Sequence, residues 1–165
     1  MSTEYKTITD RVATVLNAER TDKLSENLSA TVTAVKTGQY VPQESSTKPI
    51  VYIRLRRVGL IADMAGGLKR NERLMFLVSG AARGTTQQAA IDDASNLINN
   101  IENVLVNYIT DSGNWGASRF GWSYSTEDER PETFGELEIE PGSDGCVVHF
   151  QLMWSCDIRI ERSGL

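Results

Sequence analysis

The clearest pattern in the chain is an alternation of apolar and polar residues between positions 146 and 162. Apolar residues occupy every second position from Val148 to Ile160, and the residues between them are mainly polar. Since the side chains of a β-strand leave opposite faces with a period of two, the pattern predicts one long strand with an apolar face. At about 3.3 Å per residue this strand would be roughly 50 Å long. We therefore expect either a bulge that bends it or an end that projects towards a neighbouring molecule.

Two other segments repeat apolar residues with the period of an α-helix. Residues 3–19 and residues 86–109 each place their apolar side chains on one side of a helix. Thr85 followed by Gln88 is a capping-box pattern, which predicts the start of the second helix. The apolar stripe of this second helix is wide, so we expect it to lie on a sheet or on another helix.

Shorter alternating runs predict further strands. Residues 50–58 form one strand, with alternate residues from Val51 to Leu55 pointing inward. A second strand at 73–79 follows a turn at 65–67. The composition of residues 41–49 is typical of a loop that precedes the first of these strands.

Two regions are harder to assign. Within residues 24–37, one set of apolar residues has the spacing of a helix and another set alternates as in a strand. The β-branched residues favour a strand that ends at Gly38. Residues 120–124 and 137–139 alternate again and precede a turn at 141–145. Together with the long final strand, this order predicts a β-meander, with acidic residues on its outer face.

These elements predict an α+β fold, with a mostly antiparallel β-sheet, an N-terminal helix and one long amphipathic helix packed on one face. The length of 165 residues fits a single domain over residues 1–165, with an aromatic and acidic connection at about 111–135. No apolar run approaches the roughly 20 residues that span a bilayer, and the start lacks a signal peptide, so we expect cytoplasmic synthesis and no membrane contact. Cys146 and Cys156 are about 33 Å apart along the predicted strand, which is too far for a disulfide between them.

The charge of the chain is unevenly distributed. The net charge of −5 argues against general affinity for nucleic acids. Basic residues dominate between Arg54 and Arg73, whereas acidic residues dominate between Glu127 and Glu140. A chain with one basic and one acidic region can attract a copy of itself head to tail, and such contacts close into rings when the rotation permits. Two independently solvated surfaces are the alternative.

No pattern of residues predicts a reaction centre, a cofactor site or a metal site. The single histidine, His149, falls on the polar side of the long strand, where we expect a surface residue that is neither catalyst nor ligand. The glycine-rich run 79–86 is one residue shorter than a nucleotide-binding P-loop and has Thr85 in place of its lysine, so a capped turn explains it. Asp92 and Asp93 are explained as charges near a helix N-terminus. We therefore predict that the protein is not an enzyme and needs no cofactor.

Two sets of residues are candidates for contact with another subunit. The polar face of the long helix carries several asparagines, including Asn99 and Asn103, where a solvated helix would gain more from glutamate or lysine. Trp115 and Trp122 lie among glycines and suit a recognition patch, although core packing explains them equally well.

Four segments carry a resemblance to a known family. They are Asp10-Arg-Val-Ala-Thr-Val-Leu-Asn17 near the start, the strand Leu74–Val78, the helical Asp92–Ile98 and the strand Phe150–Trp154. In their order, the chain resembles the tail-terminator (tail-completion) proteins of long-tailed bacteriophages. The resemblance implies an α+β subunit that assembles as a hexameric ring on the finished tail tube, stops its growth and joins it to the capsid. The family has no catalytic residues, and the connection after the long helix is longer here than in its usual pattern.

The resemblance implies that the partners are other copies of the chain, the tail-tube protein and a head–tail connector protein, in a virion assembled in the host cytoplasm. DNA would pass through the ring without specific binding, because carboxylates in the lumen repel phosphate. Together with the charge distribution, it predicts interface residues and acidic lumen residues. The interface residues are Arg54, Arg56, Arg57, Lys69, Arg70, Asn99, Asn103, Trp115 and Trp122, and the lumen residues are Asp63, Glu127, Asp128, Glu129 and Glu132. The alternatives are another tail or connector subunit, and a small-ligand-binding domain whose cavity is lined by Trp154 or Trp122.

Overall fold

The computed structural model describes residues 3–41, 49–64, 69–110, 120–123, 138–142 and 145–161. In chain order its elements are helix α1 (Thr3–Ala18), a short 3-10 helix (Lys23–Ser25), strands β1 (Ala34–Thr37), β2 (Ile50–Met64) and β3 (Lys69–Gly84), helix α2 (Gln87–Thr110), and strands β4 (Phe120–Ser123), β5 (Glu138–Gly142) and β6 (Gly145–Glu161). The predicted α+β class, the N-terminal helix and the long helix are confirmed. The predicted loop at 41–49 and the turn at 65–67 lie almost entirely outside the described residues.

The described strands form one mixed sheet in the spatial order β1-β2-β3-β6-β4, with β5 also beside β6. β1 runs parallel to β2, and the other pairs are antiparallel. The pairing of β3 with β6 runs without a register shift from Lys69 opposite Glu161 to Gly84 opposite Cys146. The long final strand is therefore confirmed, and its length is matched by β3 over its whole course. The irregularities lie instead in β2, whose register against β3 shifts twice.

The predicted β-meander is wrong in its connectivity. β4 and β5 do not pair with each other in the described sheet, because both pair with β6. Phe120 lies opposite Ile160 near one end of β6, and Glu138 lies opposite His149 near the other. Because β6 is 17 residues long, two short strands fit end to end along one of its edges.

The strand predicted after α1 is much shorter than expected. It covers only Ala34–Thr37, because backbone N–H groups upstream donate to side chains instead of a neighbouring strand. Ser29 N–H donates to Asp93 Oδ2 at 3.0 Å, and Val32 N–H donates to Ser25 Oγ at 2.9 Å. These bonds hold the segment in a compact turn on α2. The strand was predicted to end at Gly38, and it ends one residue earlier, at Thr37.

A single hydrophobic core lies between the two helices and one face of the sheet. α1 packs on β1 and β2, and α2 packs on β3 and β6. The buried residues include Ile8, Val12 and Leu16 of α1, Ala94, Leu97, Ile101 and Leu105 of α2, and Val51, Ile53, Phe76, Val78, Phe150, Leu152 and Trp154 of the sheet. Where its side chains are described, the apolar side predicted for each helix is therefore the side that faces the sheet. Within the described residues, no helix is long and apolar enough to cross a membrane.

The start of α2 differs by one residue from the predicted capping box. Thr86, not Thr85, caps the helix, because its Oγ1 accepts a hydrogen bond from Ala89 N–H at 3.1 Å. The Gln88 side chain does not complete the predicted capping box. Its amide donates to Asp92 Oδ1 at 2.9 Å, one turn further along the helix.

This difference predicts unequal effects of two adjacent substitutions. Thr86→Ala should lower the free energy of unfolding by about 1 kcal/mol, since an N-cap oxygen is lost. Thr85→Ala should change it by less than about 0.5 kcal/mol, because the exposed Thr85 side chain caps nothing. Urea unfolding followed by circular dichroism measures both values. Equal losses would show that the cap is wrongly assigned.

Candidate interaction surface

The sheet face turned away from the helices, here called the outer face, carries a cluster of arginines. In the β2–β3 register, Arg54 lies opposite Leu77 and Arg57 lies opposite Met75. Leu55, which lies opposite the core residue Phe76, points to the helices. Arg54 and Arg57 therefore belong to the outer face, and both are exposed.

Arg56 joins them because β2 is irregular at this point. The register shifts between Leu55 and Arg57, which leaves Arg56 as the extra residue of a bulge. Its Nη1 donates to the Sδ atom of Met153 on β6 at 3.2 Å, so its side chain crosses β3 on the outer face. Arg54, Arg56 and Arg57, called the arginine strip below, thus share one face although they are close in sequence.

The strip lies where β2 becomes the edge of the described sheet. β1 pairs with β2 only as far as Ile53, and no other described strand lies along β2 beyond that point. Val58 is 38% exposed, and it is the one large hydrophobic residue that is exposed in the part of the chain with described side chains. Charged side chains and bulges are what proteins use to prevent indiscriminate strand pairing at such edges. The edge is therefore suited to side-chain contacts with an acidic partner more than to strand addition.

Among the side chains described on the outer face there are cations and no carboxylates, although by register positions 138, 140 and 157 of the same face are acidic. In the described side chains of β1, β2, β3 and β6, the one acidic residue is Glu72. Glu72 is 3% exposed and accepts a hydrogen bond from the Tyr5 hydroxyl of α1 at 2.7 Å, so it belongs to the helix side. Lys36 lies 6.0 Å from the ring centroid of Tyr52. Its position adds a further positive charge beside the arginine strip.

The backbone alone places three more of the predicted charged residues. Lys69 lies opposite Met64 and Arg70 lies opposite Asp63 at the end of the β2–β3 hairpin. The predicted interface residue Arg70 and the predicted lumen residue Asp63 are therefore direct cross-strand neighbours.

His149 is not the surface residue that its sequence position predicts. It is 9% exposed, and its Nδ1 atom is hydrogen-bonded to the hydroxyl of Tyr40. The Tyr40 ring stands edge-on to Tyr52, with centroids 5.6 Å apart. The prediction fails because the outer face is itself well covered here, with Ile50 and Leu77 also buried. Tyr40 is 109 residues from His149, so no local pattern could reveal the pair.

Two asparagines of α2 donate hydrogen bonds within the chain. Asn100 is buried, and its side-chain amide donates to Leu24 O at 3.1 Å and to Glu26 O at 2.7 Å. Asn96 donates to Asn27 O at 3.4 Å. The preference for asparagine on this face is thus explained in part by the turn that it binds. Asn99 and Asn103 are exposed, which leaves them available as predicted interface residues.

The two kinds of asparagine should differ sharply in stability measurements. Asn100→Ala removes the buried amide that donates to Leu24 O and Glu26 O, so it should lower the free energy of unfolding by about 1–3 kcal/mol. The matched variant Asn99→Ala removes an exposed amide and should change it by less than about 0.5 kcal/mol. Chemical denaturation measures both. A neutral Asn100→Ala would mean that water replaces the amide.

The segment interpreted as a capped turn contains no phosphate cradle in the structure. Residues 79–84 continue β3, with Ser79 opposite Gln151 and Gly84 opposite Cys146. Their backbone is used in strand pairing, which agrees with the rejection of a P-loop. Asp93, predicted as a charge near the helix N-terminus, is buried and accepts a hydrogen bond from Ser29 N–H in the turn after α1. Within the described side chains, no three His, Cys, Asp or Glu residues lie close enough to hold a metal.

The remaining predicted residues are placed only in part. The backbone of Trp122 lies in β4 opposite Ile158. Trp115, Glu127, Asp128, Glu129 and Glu132 lie outside the described residues. The arginine strip is therefore the part of the predicted interface that the structure brings together. No protein-family model matches this chain, and no curated protein matches it significantly.

Proposed function

We propose that this protein is a tail-terminator subunit of a long-tailed bacteriophage, which forms a ring, with six copies, at the end of the tail tube. In this role it stops tube growth and supplies the surface that joins the tail to the head. The proposal is supported by the order of helix, strands, long helix and final strands, which is the order of the family that the sequence resembles. The protein acts in the virion, at the tail end.

The observation that carries the proposal is the exposed, cationic edge of β2 in a chain whose net charge is −5. Cations gathered at one edge of an acidic molecule attract the acidic surface of a second copy. They repel other positively charged molecules. A contact between two different surfaces is head to tail, and it closes into a ring when each copy is rotated by a fixed angle. Lys69, Arg70, Asn99, Asn103, Trp115 and Trp122 complete the proposed interface.

The ring must also let DNA pass. We assign this property to Asp63, Glu127, Asp128, Glu129 and Glu132, whose carboxylates repel phosphate when they line a channel. The genome then slides through without a specific binding step. The tail-tube protein and a head–tail connector protein bind the two rims of the ring.

A small-ligand-binding domain is less well supported than self-assembly. One residue proposed to line its cavity, Trp154, is 1% exposed and packs on Phe76, with ring centroids 5.9 Å apart. Its indole therefore fills the core. Another tail or connector subunit is the closer alternative, because it shares the need for a head-to-tail interface.

Native mass spectrometry of the purified protein, followed by electron microscopy with isolated tail tubes, tests the proposal. The expected result is a closed oligomer, with six copies, that caps one end of each tube. A closed oligomer that ignores tubes would favour a different ring protein of the virion. A monomer that ignores tubes even at high concentration would contradict the proposed function.

A further inference from the structure

We propose that the arginine strip of one copy binds β5 of the next copy, where Glu138 and Glu140 supply the carboxylates. The inference rests on the proposed self-assembly and specifies which two surfaces meet. Both surfaces belong to the same side of the sheet. They lie at its opposite edges.

The sheet register places the two carboxylate positions. Glu138 lies opposite His149, and Glu140 lies opposite Val147. His149 and Val147 alternate along β6 with the core residues Val148 and Phe150, so they belong to the outer face. Positions 138 and 140 therefore share the outer face with the arginine strip.

The strip and β5 cannot meet within one molecule. β3 and β6 separate β2 from β5, which corresponds to about 14 Å across the sheet at the usual strand spacing. The strip is level with Met153 to Ser155 of β6, whereas β5 pairs with residues 145–149. Its two glutamates lie opposite Val147 and His149, which adds about 20 Å along the strands. Continuous β3–β6 pairing holds this separation rigid. The contact therefore requires a second copy.

The charge pattern argues against a contact between two copies of the same edge. A two-fold dimer through either edge would place arginine against arginine or glutamate against glutamate, which is repulsive. A head-to-tail contact places each positive edge against a negative one. Duplex DNA is a less suitable occupant of the strip, because the molecule as a whole is negatively charged and repels phosphate.

A charge-swap experiment with mixing tests the inference. One variant is Arg54→Glu with Arg57→Glu, and the other is Glu138→Lys with Glu140→Lys. Each variant alone places like charges on both sides of every strip–β5 contact. Its self-association constant should therefore fall about 100-fold at low salt. Mixed in equal amounts, they form alternating contacts of opposite charge, and association should return to within about threefold of wild type. Light scattering and sedimentation velocity measure both quantities.

Controls separate charge from folding. Arg11→Glu with Lys23→Glu changes the net charge by the same amount as the arginine variant, at exposed positions on α1 and the 3-10 helix, and should assemble like wild type. Arg54 and Arg57 are exposed, so their substitution should leave the thermal unfolding midpoint unchanged. Glu138→Gln with Glu140→Gln removes the charges at nearly constant size. It should weaken association about tenfold.

The outcomes have distinct meanings. Recovery of assembly only in the mixture supports the inference. Two outcomes would overturn the inference and leave the proposed ring intact. One is normal assembly of the arginine variant alone, and the other is a mixture of folded variants that stays dissociated. Loss of duplex DNA binding in the arginine variant, with assembly unchanged, would overturn it in favour of a nucleic-acid surface. Wild-type protein that stays monomeric with and without tubes would overturn both the inference and the proposed function.

Discussion

Gly145→Ala is expected to lower the free energy of unfolding by about 3 kcal/mol or more. Gly145 begins β6 with φ at +122°, a backbone conformation that costs an L-residue about 1–3 kcal/mol. A Cβ atom added there would also lie 2.2 Å from the carbonyl oxygen of Gly84 on β3. Because that oxygen belongs to a paired backbone, it cannot move without breaking the sheet. Thermal and urea unfolding measure the loss.

Gly38 provides the matched control, since its φ is +121° and nothing lies within 4 Å of its added Cβ. Gly38→Ala should therefore cost only the conformational strain, about 1–2 kcal/mol. The difference between the two variants reports the collision with Gly84. Equal losses at the two sites would show that β6 can shift away from β3 at little cost.

The second large effect is expected at the centre of the core. Trp154→Ala should lower the free energy of unfolding by about 3–5 kcal/mol, because the fully buried indole leaves a cavity beside Phe76. Such a loss is a large fraction of the stability of a domain of this size. The expected result is a variant that unfolds far below the wild-type temperature, as measured by circular dichroism.

Met153 is the control for this prediction. It is the preceding residue of β6, but it lies on the outer face and is only half-buried. Met153→Ala should cost less than about 2 kcal/mol, since part of its surface is already in water. The opposite ranking would mean that the helices cover the other face of the sheet.

Much of the fold follows from periodicity. The faces of α2 and β6 were predictable because their apolar residues repeat over many turns and strand positions, from Ile91 to Leu105 and from Val148 to Trp154. The extent of β2 was not predictable, because Gly59 interrupts the alternation while pairing with β3 continues to Met64. Hydrogen bonding with a long neighbour, and not side-chain pattern, decides where that strand ends.

The candidate surface was predictable only as a cluster of charge. The sequence shows Arg54, Arg56 and Arg57 close together, but strict alternation would place Arg56 on the same face as Arg54 and put Arg57 on the opposite face. The register shift at Arg56 brings Arg57 to the outer face, and only the paired backbone reveals it. The contacts of His149 and Asn100 were missed for a related reason. Their partners are distant in sequence and are in part backbone carbonyl groups.

The unbroken ladder between β3 and β6 has a consequence for how the molecule folds. β6 follows β3 only after α2 and two short strands, so the central pair of the sheet joins segments that are remote along the chain. Contacts of this kind form late and slow the folding rate. Until β6 arrives, one side of β3 has unsatisfied backbone groups that can recruit other chains. We therefore expect refolding yield to fall with protein concentration, and chaperones that shield nascent edges to restore it.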